Sequence, residues 1–189
     1  MPKNIAIFAS GSGSNAENII QYFRNNPGFN FPVIVSNNPD AYVHERARKA
    51  GVRSVCFSKA DFLDGAPVVN LLRELNIDQI VLAGFLLKIP ETLIREYPSG
   101  IINIHPALLP KYGGKGMYGH RVHEAVALAH ERESGITIHY VNEKYDDGNI
   151  IFQAKCQLDT SDTPDSIAQK VHQLEYIYFP QVIENLWKD

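Results

Sequence analysis

Short apolar runs alternate with segments of helical period through the first half of the chain, and that alternation restricts the fold more than any other feature. Strands are expected at residues 4–9, 31–36, 54–57, 78–84 and 100–105, with helices at 15–26, 41–50, 67–76 and 90–97 between them. Strands joined through helices run parallel, because a tight turn can only reverse the chain. The pattern therefore predicts a mostly parallel sheet covered by helices. Beyond residue 105 the pattern changes. A helix is expected at 119–130, and strand-like runs at 135–142 and 149–157 flank a polar stretch at 143–148. That pair reads as an antiparallel hairpin with an Asp-Gly turn. A closing helix is expected to start with Thr163 as N-cap and Pro164 in its first position, and to run to about residue 186. No repeat or linker divides the chain, so residues 1–189 read as a single doubly wound α/β domain with an antiparallel hairpin at its C-terminal side.

Charge and composition exclude several function classes. The net charge is −3 and no run of Lys or Arg forms a phosphate-tracking stripe, which argues against a nucleic-acid partner. No apolar run approaches the ~20 residues that span a bilayer. The first strand begins within a few residues of Met1, leaving no room for a signal peptide, so a cytoplasmic location is expected. Cys56 and Cys156 lie in strand-like apolar runs, where each reads as a small buried hydrophobe rather than a disulfide partner or metal ligand.

Three places carry chemistry. The expected strand ending in Ile102-Asn103-Ile104-His105 is stopped by Pro106, and alternation along a strand puts Asn103 and His105 on one face. An amide donor beside a titratable ring suits acyl transfer, where an oxyanion develops while a proton moves. The turn Ser10-Gly11-Ser12-Gly13-Ser14-Asn15 joins the first strand to the first helix, where free N–H groups and the helix dipole favour a phosphate. Gly11, Gly13 and Ala16 satisfy the relaxed G-x-G-x-x-G/A dinucleotide pattern. The second strand, however, ends Val35-Ser36-Asn37-Asn38 without the acidic residue that holds an adenosine ribose, and Asp40 reads as a cap for the next helix. A phosphate monoester fits this turn better than a dinucleotide. In Tyr145-Asp146-Asp147-Gly148, Asp147-Gly148 is a turn signal, and Asp146 is the carboxylate that would raise the pKa of His105 and order a water.

The remaining candidates are weaker. His120, His123 and His130 have near-helical spacing but no completing metal ligands, and His123 and His130 read as surface or half-buried. His139 is expected to face the same pocket as a supporting group, and Tyr176, Tyr178 and Phe179 to pack in the core.

Together these residues resemble the glycinamide ribonucleotide formyltransferases, from about Ile5 to Val182. The resemblance rests on Gly11 to Asn15, Val35-Ser36-Asn37, Glu45-Arg46-Ala47, Leu82 to Phe85, Asn103-Ile104-His105-Pro106 through Lys111-Tyr112, the turn at Asp146 to Gly148, and Glu175. It implies a formyltransferase fold that moves the formyl group of 10-formyltetrahydrofolate, a co-substrate, onto the amine of glycinamide ribonucleotide in purine synthesis. It makes Asn103, His105 and Asp146 catalytic, and assigns Gly13, Ser14, Asn15 and Glu175 to the ribonucleotide. Leu86, Leu87, Lys88 and Ile89, with Asn103, go to the folate, so that the N-terminal half binds the ribonucleotide and the C-terminal half is catalytic and folate-binding. No metal is implied, the partners are small molecules, and the protein is expected to be a monomer or weak homodimer. Direct transfer is implied, with Asn103 on the oxyanion and His105 held protonated by Asp146, which also fixes a proton-carrying water.

Two departures stand out. The loop at 113–119 is longer than is common in the family, and its Lys115 is expected in solvent. His172 stands where some members place a phosphate-contacting lysine. The competing readings are a formyltetrahydrofolate hydrolase, a methionyl-tRNA formyltransferase, which would be larger and more basic, and a non-catalytic nucleotide-phosphate-binding module.

Overall fold

In the computed structural model, which describes residues 1–188, seven strands form one sheet in the order β3-β2-β1-β4-β5-β6-β7. The chain divides into two compact units, Met1–Ile102 with Trp187, and Asn103–Leu186.

The first unit holds β1 (Lys3–Phe8), β2 (Phe29–Ser36), β3 (Arg53–Cys56) and β4 (Gln79–Leu82), with helices α1 (Ser14–Tyr22), α2 (Val43–Ala50), α3 (Lys59–Asp64), α4 (Ala66–Glu74) and α5 (Glu91–Glu96) in the connections. The β1–β2, β2–β3 and β1–β4 pairings are all parallel. In β1, Ile5, Ala6, Ile7 and Phe8 are fully buried, as expected of a central strand covered on both faces. The chain leaves β1 toward β2 on one side and reaches β4 on the other, so the sheet reverses its winding between β1 and β4. In open α/β sheets ligands bind beyond the strand ends at such a reversal.

β5 (Ile101–His105) carries the chain into the second unit, which contains α6 (His120–Leu128), β6 (Glu133–Tyr140), β7 (Ile150–Gln157) and most of α7 (Pro164–Trp187). β6 and β7 are antiparallel, as the hairpin reading predicts, but residues 141–149 form a long connection rather than a tight two-residue turn. Gly135 sits where any side chain would meet the Ala154 carbonyl, which keeps the two strands in close register.

Each expected strand and helix is present, with ends shifted by a few residues, and α3 is an addition. Ser58 caps α3 by accepting from the Asp61 N–H, and the Asp61 carboxylate accepts from the Ser58 N–H in return. Asp40 does not cap α2, whose N-cap is Tyr42. Cys56 is exposed and Cys156 half-buried, against the expectation of buried hydrophobes, because both lie on the outermost strands of the sheet. Phe179 is fully buried as expected and Tyr178 packs on Phe152, but Tyr176 is exposed on α7.

Candidate active site

Alternation along β5 puts Ile104 on one face and Asn103 and His105 on the other. Asn103 remains half-buried, and His105 is only 3% exposed. The Pro106 to Pro110 segment is then fixed by one hydroxyl on β6. Thr137 Oγ1 donates to the Ala107 carbonyl at 2.7 Å and accepts from the Leu109 N–H at 3.0 Å. Gln153, itself exposed on β7, donates to both the Thr137 hydroxyl and the Leu109 carbonyl, so a polar knot around the buried Thr137 holds the chain where it leaves the strand.

Asp146 comes to His105 from the β6–β7 connection. Its Oδ2 lies 3.6 Å from His105 Nδ1 and accepts from the Gly114 N–H at 2.9 Å. The other ring nitrogen of His105, Nε2, lies 2.7 Å from the Tyr112 carbonyl. A carbonyl only accepts, so Nε2 carries a proton and Nδ1 is the nitrogen that gains or loses one opposite Asp146. Asp146 has a φ of 51°, in the left-handed region that aspartate tolerates better than most residues. Asp147, its exposed neighbour, accepts weakly from Asn142 and pairs with Lys144, which suits a turn residue.

The electrostatics correct one expectation. Burial pushes the His105 imidazole below its ordinary value, and the pull of Asp146 and the Tyr112 carbonyl does not reverse it. His105 is therefore not held protonated in the free protein. Burial also opposes the charge on Asp146, but the His139 and His105 rings and the Gly114 N–H prevail and hold its carboxyl below the usual range. Burial works against the charged form of both partners, and only in His105 does it prevail.

His139 lies in this cluster, as expected, and is 2% exposed. Its Nε2 is 3.1 Å from Asn103 Nδ2, and its Nδ1 is 2.9 Å from the Tyr140 carbonyl.

Glu175 and His172 sit on α7. Glu175 is buried, and His172 Nδ1 lies 2.8 Å from its carboxylate, which raises the His172 pKa against the effect of burial. His123 on α6 is 3% exposed, contrary to a surface reading, and burial followed by the nearby His172 lowers its pKa to about 4. Its spacing with Val122 and Val126 on the buried face of α6 carried the missing signal. His130 and Lys115 are exposed, as expected.

In the first unit, the glycine-rich turn lies at the reversal point of the sheet. Gly13 is the N-cap of α1 with a φ of 73°, and a side chain there would run into Val43. Ser14 and Asn15 open the helix. The Arg46 side chain donates to the Ser12 carbonyl at 2.9 Å and pairs with Glu17, bracing the turn from α2. The loop after β4 joins it, since the Ser10 N–H donates to the Gly84 carbonyl and the Leu86 N–H donates to Ser10 Oγ at 2.9 Å. Of the next residues Leu86 and Lys88 are exposed, Leu87 half-buried and Ile89 buried. Gly13 to Asn15 and Leu86 to Ile89 belong to the first unit, and Asn103, His105, His139, Asp146 and Glu175 to the second. Among the described residues no group of three or more His, Cys, Asp or Glu is placed to hold a metal ion, and no helix is long and apolar enough to cross a membrane.

Comparison with known proteins gives a consistent result. Residues 3–183 match the Formyl transferase family. The chain is 39% identical to the chloroplastic phosphoribosylglycinamide formyltransferase of Arabidopsis thaliana, over 96% of this chain but only 64% of that protein. It is 36% identical to phosphoribosylglycinamide formyltransferase of Bacillus subtilis (strain 168), covering 97% of this chain and 94% of that one. The crystal structure of phosphoribosylglycinamide formyltransferase from Streptococcus pneumoniae TIGR4 superposes with a TM-score of 0.88 at 36% identity, covering 100% of both chains.

Proposed function

Since the chain belongs to the formyl transferase family, we propose that it transfers the formyl group of 10-formyltetrahydrofolate to the amine of glycinamide ribonucleotide. The observation that carries this reading is the cluster of an amide donor, a buried imidazole and a carboxylate at the end of β5, with His105 Nδ1 3.6 Å from Asp146. In this reading residues 1–189 are one formyltransferase domain, with ribonucleotide binding in the N-terminal half and folate binding and catalysis in the C-terminal half.

The ribonucleotide amine attacks the formyl carbon, and the former carbonyl oxygen becomes an anion. Asn103 donates its side-chain amide to that oxygen. His105 starts neutral, accepts at Nδ1 the proton released by the attacking amine, and passes it to the departing folate nitrogen. Asp146 stabilises the imidazolium that exists between these steps and orients a water as the proton's bridge. The residues need no covalent nucleophile, because holding both substrates together supplies a large part of the rate. Glu175 and the Gly13, Ser14 and Asn15 turn hold the ribonucleotide, whose phosphate meets the N-terminus of α1. His172, with its charge favoured by Glu175, supplies a cation in place of the lysine of some relatives. Leu86, Leu87, Lys88 and Ile89 border the pterin, with apolar Leu86 exposed for it to cover. We place the reaction in the cytoplasm, in keeping with two free cysteines.

The test is formyl transfer measured with and without glycinamide ribonucleotide. Tetrahydrofolate formation that requires the ribonucleotide is expected. Formation without it identifies a hydrolase, and none from folded protein rejects catalysis.

A further inference from the structure

The segment after Pro110 touches both His105 and Asp146. The Tyr112 carbonyl lies 2.7 Å from His105 Nε2, and the Gly114 N–H donates to Asp146 at 2.9 Å. Tyr112 reaches this geometry with a φ of 56°, in the left-handed region that its Cβ and bulky ring disfavour. An unsupported loop would relax out of that conformation and swing the carbonyl away from the imidazole. Other contacts must therefore hold it.

Gly113 supplies part of the hold, since any side chain there would collide with the buried Leu109. The Tyr112 ring supplies the rest. Its hydroxyl donates to Glu131 Oε1 at 2.9 Å, and Lys111 Nζ lies 2.8 Å from the same oxygen. Glu131 sits between α6 and β6, with its backbone seated on both sides. Its N–H donates to the carbonyl of the buried Val126, and the carbonyl of the next residue, Arg132, accepts from the Leu158 N–H at 2.9 Å. Lys111 and Tyr112 hold the Glu131 carboxyl below the usual carboxylate range, so it is an ionised acceptor at neutral pH. The Lys111 side chain is 68% exposed, and an ion pair so open to water fixes little. The phenol is the contact that anchors the segment.

We propose that Glu131 is a positioning residue for His105. By anchoring the Tyr112 phenol it holds the Tyr112 carbonyl on Nε2 and leaves Nδ1 as the ring's only working nitrogen. Without that carbonyl the ring proton is free to occupy either nitrogen, and the imidazole is free to turn from Asp146. The effect on turnover rests on the acyl-transfer reading, while the hold on the ring does not depend on it.

The test separates the acceptor, the donor and the charge. Glu131→Leu removes the acceptor, Tyr112→Phe removes one hydroxyl and leaves the ring, and Lys111→Met removes only the exposed ammonium. NMR of the unsubstituted protein is expected to show a downfield proton on His105 Nε2. In Glu131→Leu and Tyr112→Phe that proton is expected to move upfield. The His105 titration midpoint should fall in both, because the Tyr112 carbonyl is one of the influences that raise it. Asp146 and Glu175, which also raise it, and His139, which lowers it, are untouched by these substitutions. In both variants kcat is expected to fall about tenfold to a hundredfold, as when a reacting group is misplaced, with KM for both substrates changed less than about threefold. Glu131→Gln keeps an acceptor oxygen and is expected to regain the downfield proton, and Lys111→Met to keep kcat within about twofold. A proton and midpoint unchanged in both Glu131→Leu and Tyr112→Phe overturn the proposal whether or not the protein turns over glycinamide ribonucleotide. A loss confined to KM overturns it as well. The expected spectra with no turnover by the unsubstituted protein instead reject the acyl-transfer reading and leave the anchor standing.

Discussion

The Tyr112 carbonyl lies 2.7 Å from Nε2 of His105, so one nitrogen of this ring is committed to the backbone and only Nδ1 is left for proton transfer. That nitrogen faces Asp146 from inside the protein, and burial outweighs the carboxylate. The ring proton of His105, followed by NMR, is therefore expected to titrate below 6.5. In Asp146→Asn the midpoint should fall further, because the carboxylate is the largest of the influences that raise it. A midpoint above 6.5, or an upward shift in the variant, would contradict this account.

Asn103→Ala is expected to lower kcat by about a hundredfold to a thousandfold, the usual cost of losing an oxyanion donor. Thermal unfolding should show a folded protein, since Asn103 is half-buried. Single-turnover rates close to those of the unsubstituted protein would remove Asn103 from the chemistry.

His123 makes stability depend on pH in a definite direction. Its folded pKa of about 4 lies below the unfolded value of 6.5, so the unfolded chain binds the proton more readily. The stabilisation is present above pH 6.5 and is lost as the pH falls toward 4, by on the order of 3 kcal/mol in all. His105 acts in the same sense, while His172, with its raised pKa, contributes below 6.5 and loses that contribution as the pH rises through its folded value. Urea unfolding of His123→Phe between pH 7 and 5 should therefore show a shallower decline in stability. An unchanged slope would mean that His123 is not the buried neutral group responsible.

Gly13→Ala combines a φ of 73° with a collision against Val43, so the turn must shift before the substitution fits. The expected result is a rise of at least about tenfold in KM for the ribonucleotide, with KM for the folate little changed, and a loss of roughly 1–3 kcal/mol in stability. A KM that stays put would separate this turn from phosphate binding.

The sequence made the strands legible because β1, β2, β4 and β5 are continuous apolar runs, and it made Asn103 and His105 legible because Pro106 ends the last of them. α3 was hidden by its shortness, although Ser58 and Asp61 carry a capping box that spells its start. The neutral state of His105 was not legible. Pairing with Asp146 argues for charge, and only the three-dimensional burial of the ring decides against it. The Asn103–His139 contact joins residues 36 positions apart, and local pattern gives neither its distance nor its direction. Cys56 misled for a related reason, since an apolar strand reads alike whether it is central or, as here, outermost.

Ser10 has one hydroxyl and two neighbours that need it. It accepts from the Leu86 N–H, and its own hydrogen goes to Asn37, so the ends of β1, β2 and β4 meet at one oxygen. A ligand that tightens the turn after β1 thereby changes the free energy of the segment after β4. The two substrates would then alter each other's dissociation constants by a common factor, whichever arrives first, because thermodynamic reciprocity leaves no other choice.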